Sequence, residues 1–183
     1  MIQDVISQGA CIDSFGVGER LITAKSEPVF GGVYKLAALE TEDGTIIPKI
    51  KISENVAKIT NPGFKRVYRY YDKGTGKALA DLIALHDETI PESGPMTIFD
   101  SKAPWKKKTL DNYTVKELQV PIFKGGELVY ELPDIKEIQQ YCREQEKTLY
   151  EEVLRFENPH EYYVDLSEKL WTLKRSMLEN SGK

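Results

Sequence analysis

Residues 12–21 read Ile-Asp-Ser-Phe-Gly-Val-Gly-Glu-Arg-Leu, and this stretch decides how the chain is interpreted. The apolar residues 10–15 favour a short strand, the two following glycines favour a turn, and a helix is predicted to open at Glu19. Residues 2–8 are typical of the end of a helix, because Gly9 stands where a left-handed helix terminator belongs. Helix, strand, glycine turn and helix in this order are typical of a parallel β/α fold.

The turn at Gly16, Val17 and Gly18 is a candidate phosphate site. Glycine lets the backbone approach a ligand closely, and the amides that open a helix at Glu19 attract an anion. The turn lacks the lysine of a P-loop, and Leu21 stands where a dinucleotide motif has its third glycine. The pattern alone therefore leaves two interpretations open, a phosphate site and a tight structural turn.

A single β/α unit is too little for a closed barrel, which takes eight units and about 250 residues. Residues 1–30 are therefore predicted to form the terminal β/α unit of an incomplete barrel. Phosphate sites of such barrels commonly lie in the loops after the last strands, which suits the position of the glycine turn.

Residues 31–183 are predicted to form a C-terminal α+β domain that begins with hairpins. Strand patterns occur at residues 33–39, 46–52, 65–71, 79–85, 96–99, 105–110, 118–123 and 128–132. Asp43-Gly44 and Gly125-Gly126 are turn signals between strands. The predicted fold class is α+β, with an incomplete barrel unit, an antiparallel hairpin-rich sheet and two C-terminal amphipathic helices.

The two helices are predicted from capping pairs and apolar stripes. Asp134 with Glu137 fits a capping box, and Asp165 with Glu168 repeats the pattern. Apolar residues at helical spacing predict one buried face per helix. They are Ile135, Ile138, Tyr141, Leu149, Val153 and Phe156 in the first helix, and Leu166, Leu170, Leu173 and Met177 in the second.

Composition excludes several classes of protein. The chain has 183 residues, 40% hydrophobic and 30% charged, which fits a soluble globular protein. With 25 basic against 29 acidic residues its net charge is −4, so no nucleic-acid partner is expected. The basic run at residues 106–108 is interpreted as solvated surface. No apolar run approaches the roughly 18 residues of a membrane helix, so no membrane partner is expected.

Cysteine and histidine usage gives no sign of a disulfide or a metal centre. Cys11 and Cys142 are far apart, which fits a reducing compartment, and His86 and His160 stand in no metal-ligand spacing. The first ten residues do not form a signal peptide. A cytoplasmic location is therefore expected.

The stretch at residues 12–19 resembles the closing barrel strand and phosphate loop of nicotinate phosphoribosyltransferases, which usually reads Ile-Asp-Ser-Phe-Gly-Val-Gly-Thr. The likeness continues at residues 28–36, Pro-Val-Phe-Gly-Gly-Val-Tyr-Lys-Leu, and at residues 58–63, Lys-Ile-Thr-Asn-Pro-Gly. Shorter matches at residues 50–53, 65–69, 81–83, 117–121, 158–159 and 163–166 extend it almost to the end of the chain. These ordered matches correspond to roughly the C-terminal third of that family.

The resemblance implies an activity for the complete enzyme. The family joins nicotinate to phosphoribosyl pyrophosphate, forming nicotinate mononucleotide and pyrophosphate for NAD synthesis, with magnesium and ATP implied for the complete protein. The loop that matches Gly16, Val17, Gly18 and Glu19 binds the phosphate of phosphoribosyl pyrophosphate or nicotinate mononucleotide. The family's phosphorylated histidine and its nicotinate-binding aromatic and arginine lie upstream of this chain, so no catalytic residue or metal ligand is carried over.

The chain alone is consequently predicted to be inactive. Its expected partners are the missing N-terminal part or a second copy in a homodimer. The alternative is a non-catalytic interaction or oligomerisation module derived from the enzyme. A strand at residues 10–15 would have unpaired edges without its barrel neighbours, so the first thirty residues are expected to be disordered, rearranged or dimerising.

Glu19 departs from the family pattern, which has threonine there. A hydroxyl donates to a phosphate oxygen, whereas a carboxylate has no proton to donate near neutral pH. Two interpretations remain: Glu19 turns outward toward Arg20 or Lys25 while the backbone amides hold the phosphate, or the phosphate site is weakened.

Overall fold

The computed structural model describes residues 2–29 and 31–180. The chain divides into two compact units, Met1–Tyr34 and Lys35–Lys183.

The first unit contains two short helices, α1 at Ile2–Ser7 and α2 at Glu19–Ile22. Gly9 adopts φ +81° and its amide donates to the carbonyl of Ile6 at 2.9 Å, which confirms the left-handed terminator. Residues 10–18 form neither helix nor strand, so the predicted barrel strand at residues 10–15 is wrong for this chain. A strand needs a neighbour for its amides and carbonyls, and the described part of this unit has no other strand. The amide of Ile12 instead donates to the carbonyl of Ala10 at 3.1 Å.

The described part of the second unit contains ten strands and three α-helices. The strands are β1 Ala38–Glu40, β2 Ile46–Pro48, β3 Lys65–Asp72, β4 Ala78–Leu85, β5 Met96–Phe99, β6 Lys107–Leu110, β7 Tyr113–Glu117, β8 Phe123–Lys124, β9 Glu127–Leu128 and β10 Val164–Leu166. The α-helices are α3 Ile135–Thr148, α4 Glu151–Leu154 and α5 Glu168–Asn180, and a 3-10 helix spans Val56–Lys58.

The strands form a four-stranded sheet in the order β10-β4-β3-β7 and three two-stranded hairpins, β1-β2, β5-β6 and β8-β9. The hairpin predicted at Asp43-Gly44 is confirmed, with three-residue strands, because Gly44 takes φ +82° and Asp43 accepts a hydrogen bond from the amide of Thr45. The antiparallel pairing predicted for the hairpin region is confirmed, because every pair among β1 to β9 is antiparallel. The strand β10 was not predicted, and it pairs with β4 in parallel. A chain segment of 78 residues separates these two strands, and no local turn signal reports such a pairing.

Two apolar clusters hold the second unit together. The larger one joins the four-stranded sheet to the β5-β6 hairpin, and Tyr70 packs edge-on against Tyr113 with ring centroids 4.9 Å apart. Its buried members are Tyr70, Ala80, Leu82, Ile98, Leu110 and Tyr113. The smaller cluster, made of Leu85, Leu166 and Leu170, packs α5 against the sheet. The stripe predicted for the last helix is confirmed at Leu170, which is fully buried.

The C-terminal helices match the prediction at the cap of α3. They differ from it in where α3 ends, in the burial of its apolar face and in the residue that caps α5. The capping box of α3 is confirmed, because Asp134 accepts from the amide of Glu137 at 2.8 Å and Glu137 accepts from the amide of Asp134 at 2.7 Å. However, α3 ends at Thr148 instead of continuing to residue 156. The ammonium of Lys77 donates hydrogen bonds to the carbonyls of Lys147 and Leu149 at this end of the helix.

The buried face predicted for α3 is also wrong, since Ile135, Ile138 and Tyr141 are all exposed. The cap of α5 is Ser167, whose hydroxyl accepts from the amide of Leu170 at 3.1 Å. Asp165, predicted to cap that helix, lies instead inside β10.

A separate strand predicted at residues 118–123 is likewise wrong. The chain forms β7 at Tyr113–Glu117, where Tyr113 enters the larger cluster, and then β8 at Phe123–Lys124.

Candidate functional site

The glycine turn lies at the start of α2 and is exposed. Gly18 is the N-cap residue, with φ −90° and ψ −150°, and no side chain caps the helix. A Cβ atom added at Gly16 or Gly18 would have no neighbour within 4 Å. Neither positive φ nor packing within the described residues accounts for these two glycines. The turn therefore has open space next to its backbone.

Val17 and Glu19 share this exposure. Val17 retains 44% of its accessible surface, and Glu19 is the first residue of α2. A carboxylate is favourable in the first turn of a helix because it complements the helix dipole. Within the described residues, Glu19 forms no salt bridge with Arg20 or Lys25, so its outward orientation stays a prediction.

A second candidate site, which the sequence analysis did not predict, is a cavity of about 770 Å³ in the second unit. It lies between the loop that joins β5 to β6, α4 and residues 159–165, and we call it the Asp165 cavity. The amide of His160 donates to the carbonyl of Glu152 at 2.8 Å, which ties two of these walls together. The indole of Trp171 donates to the carbonyl of Ser101 at 3.1 Å and holds the third wall against α5.

A buried ion pair anchors one wall of this cavity. Arg69 donates to both carboxylate oxygens of Asp81, at 2.7 and 2.8 Å, and the hydroxyl of Tyr162 donates to the same carboxylate at 2.9 Å. The hydrogen bond with Asp81 raises the pKa of Arg69. Burial, and secondly the charge of Asp81, raises the pKa of Tyr162. Three elements are thus joined by one carboxylate: β3, β4 and the segment that leads into β10.

Asp165 is the unusual residue of the cavity. It is 7% exposed, and it pairs in register with Leu82 of β4, so its side chain lies on the sheet face that carries the larger apolar cluster. Burial, and secondly the nearby Asp100 carboxylate, raises the pKa of Asp165 to about 6. Among the described residues, no donor forms a hydrogen bond to its carboxyl group. The sequence did contain a signal for this residue, a charged side chain between the apolar residues Val164 and Leu166. The sequence analysis interpreted Asp165 as a helix cap and therefore did not identify it as a site residue.

The described residues contain no group of three or more histidine, cysteine, aspartate or glutamate side chains that could hold a metal ion. Across the described parts of the chain, no helix combines the length and the apolar character needed to span a membrane.

Known proteins share both units of this chain. The family model described as the nicotinate phosphoribosyltransferase C-terminal domain matches residues 64–174. The chain belongs to the nicotinate phosphoribosyltransferase family. A nicotinate phosphoribosyltransferase of Bacillus subtilis is 42% identical over 173 residues, which is 94% of this chain and 35% of that protein. One of Caenorhabditis elegans is 35% identical over 93% of this chain and 30% of its own length.

A solved structure of the family gives the same fold. The crystal structure of human nicotinic acid phosphoribosyltransferase matches with a TM-score of 0.59 at 27% identity, over 65% of this chain and 24% of that chain. The predicted resemblance to nicotinate phosphoribosyltransferases and the mixed α+β fold class are thereby confirmed. The chain spans about a third of the length of the curated relatives it matches.

The comparison also includes the glycine turn. Since 94% of the chain is matched in the Bacillus subtilis relative, only about eleven residues lie outside the aligned part. Residues 16–19 are therefore aligned with that nicotinate phosphoribosyltransferase, although they precede the segment that the family model matches.

Proposed function

We propose that this chain is the C-terminal part of a nicotinate phosphoribosyltransferase. The complete enzyme would form nicotinate mononucleotide and pyrophosphate from nicotinate and phosphoribosyl pyrophosphate, with ATP hydrolysis. The observation that carries this proposal is 42% identity over 94% of the chain to the Bacillus subtilis nicotinate phosphoribosyltransferase.

The glycine turn is the part of the chain that we assign to substrate binding. The amides of Gly16, Val17, Gly18 and Glu19 would donate to the phosphate of phosphoribosyl pyrophosphate or nicotinate mononucleotide. The open space at both glycines supports this assignment, because an anion can reach the amides without meeting a side chain. The carboxylate of Glu19 would turn away from the phosphate, since two anions in contact repel each other.

The chain alone would not catalyse the reaction. It corresponds to 35% of the Bacillus subtilis relative, and the groups that hold nicotinate and stabilise the departing pyrophosphate are expected in the remaining part. Its partners in the complete protein would be that remaining part and a second copy of the enzyme.

A chimera tests the proposal directly. This chain replaces the matching 35% of the Bacillus subtilis enzyme, and nicotinate mononucleotide formation is measured with nicotinate, phosphoribosyl pyrophosphate and ATP. We expect product from the chimera and none from the 183-residue chain alone. A chimera that folds like the parent enzyme but forms no product would overturn the proposal.

Variants of the turn test the assigned site in the same chimera. Gly18→Ala crowds the amides, and losing one hydrogen bond to a charged group predicts a rise of about tenfold or more in the KM for phosphoribosyl pyrophosphate. The KM for nicotinate should change much less. Ser26→Ala, which removes one hydroxyl group outside the turn, is the control. Glu19→Thr should leave the KM nearly unchanged, and a large gain in affinity would refute the outward orientation of Glu19.

The exposed face of α3 favours a second candidate function, a non-catalytic interaction or oligomerisation module. Ile135, Ile138 and Tyr141 retain 53–75% of their accessible surface, and exposed apolar patches often mark interfaces. This alternative predicts stable self-association of the chain at micromolar concentration, loss of that association in Ile138→Glu, and an inactive chimera. Light scattering of both proteins, read together with the chimera assay, separates the two functions.

A further inference from the structure

We propose that the Asp165 cavity is a ligand site for a guanine nucleoside monophosphate. This site is distinct from the glycine turn, and the proposal does not depend on the activity assigned to the complete enzyme.

The cavity has the dimensions and the rigidity of a small-molecule site. Its volume of about 770 Å³ lies within the usual range of roughly 300–1,000 Å³. Tyr150, Tyr162 and Tyr163 contribute to its lining, and each ring has a cation within 5.3–6.0 Å of its centroid. Tyr162 is held in place by its hydrogen bond to Asp81 at 2.9 Å. Aromatic walls of this kind suit the flat face of a nucleobase.

Asp165 supplies the acceptor that selects the base. Asp165 is 7% exposed, and its carboxyl group receives no hydrogen bond from the described residues, so both oxygens keep their acceptor capacity for a ligand. Asp100, the neighbouring carboxylate, accepts at Oδ1 from the amides of Lys102 and Ala103 at 2.8 and 3.3 Å. Among the carboxylates that line the cavity, Asp165 is the buried one, and it is the acceptor that we assign to the base.

The geometry of a carboxylate favours guanine among the common bases. An ionised carboxyl group only accepts hydrogen bonds, and its two oxygens match two parallel N–H donors. Guanine presents such a pair, N1–H next to its amino group. Adenine presents one amino donor next to a ring nitrogen with a lone pair, which would repel the second oxygen. Hypoxanthine has the N1–H donor alone.

Lysines at the cavity supply the complement for a phosphate. The cavity is lined by Lys102, Lys106, Lys107 and Lys108, which are all exposed. The ammonium group of Lys108 lies 5.3 Å from the centroid of the Tyr163 ring. The carboxylates of Glu152 and Glu161 also line the cavity and oppose the accumulation of negative charge. This balance favours a monophosphate over a triphosphate.

Calorimetric titration of the 183-residue chain tests the proposal with GMP, IMP, AMP and guanosine at pH 7.5. We expect GMP to bind with a Kd below about 1 mM, and AMP to bind about tenfold more weakly for each charge-assisted hydrogen bond lost. IMP should fall between them. Guanosine, which lacks the phosphate, should bind more weakly than GMP.

Substitutions at the cavity test which residues contribute to the affinity for GMP. Asp165→Asn should weaken GMP by about tenfold or more and remove the preference for GMP over AMP. Asp111→Asn, an exposed aspartate outside the cavity, is the control. Lys106→Ala should weaken GMP without changing guanosine, while Lys116→Ala on β7 should change neither.

Three outcomes would overturn the site. The first is the absence of saturable GMP binding up to about 5 mM, a concentration well above the expected Kd. The second is equal affinity of the wild-type chain for GMP and AMP, a comparison that depends on no variant being folded. The third is an Asp165→Asn chain with native circular dichroism and unchanged GMP affinity.

Discussion

Replacing Asp165 by asparagine should stabilise the chain above pH 6 and have little such effect at low pH. Burial and Asp100 raise the pKa of this carboxyl group from 3.8 to about 6 in the folded chain, while the unfolded chain keeps the ordinary value. The protonated form is therefore favoured by folding. The contribution of this protonated carboxyl group to the free energy of unfolding is fully present below pH 3.8 and is lost as the pH rises through 6.

The pKa change sets the size of the effect. A rise from 3.8 to about 6 corresponds to roughly 3 kcal/mol of unfolding free energy between the two pH limits. Asparagine does not ionise, so the difference in stability between variant and wild type should change by about this amount. The buried amide of asparagine has its own desolvation cost, but that cost is the same at both pH values and cancels from the comparison.

Urea unfolding followed by tryptophan fluorescence measures this difference at pH 3.5, 5 and 7.5. Trp105 and Trp171 both belong to the second unit and report on its unfolding. Asp111→Asn, at an exposed position, is the control and should show no comparable change. If the stability difference for Asp165→Asn stays constant within about 0.5 kcal/mol from pH 3.5 to 7.5, the carboxyl group is not desolvated as the structure requires.

Four further substitutions test the packing of the second unit by the same unfolding assay. Asp81→Ala leaves the partly buried guanidinium of Arg69 unpaired and should cost up to about 3–5 kcal/mol. Tyr162→Phe removes one hydrogen bond to the carboxylate and should cost about 1.5–3 kcal/mol. The Tyr70 hydroxyl is buried without a hydrogen-bond partner, so Tyr70→Phe should be neutral or stabilising by up to about 1 kcal/mol. Gly63 has φ +86°, and a Cβ atom there would lie 2.6 Å from a methyl group of Leu85. Gly63→Ala should therefore lower the free energy of unfolding by at least about 1–3 kcal/mol. An unchanged urea midpoint would contradict the packing described at that glycine.

Local chemistry made part of this fold predictable. The capping box at Asp134 and Glu137 and the turn at Asp43-Gly44 depend on residues at most three positions apart, and both are present. The strands β3 and β4 are also close to their predicted bounds, because their alternating apolar residues face a common core. Sequence patterns report such features because the atoms that satisfy them are close along the chain.

Long-range pairing was not predictable in the same way. Residues 10–15 have the composition of a strand but no neighbouring strand in the described part of their unit. The apolar face of α3 has the spacing of a buried stripe, but nothing in the described part of the second unit buries it. A strand pattern indicates that a segment needs a neighbouring strand, and an apolar stripe indicates that a helix needs a packing partner. Neither pattern shows whether that partner is present in this chain.

The parallel pairing of β10 with β4 is the contact on which the Asp165 cavity depends. It places Asp165 beside Leu82, and it brings Tyr162 to the Asp81 carboxylate. Ser167 caps α5, and among the residues that the structure describes no donor forms a hydrogen bond to the Asp165 carboxyl group. A desolvated carboxylate lowers stability at neutral pH, and stability lost in this manner is commonly associated with function. The two measurements on Asp165→Asn therefore belong together: greater stability with loss of GMP binding supports a functional carboxylate, whereas greater stability with unchanged GMP binding shows that the residue has no role in this site.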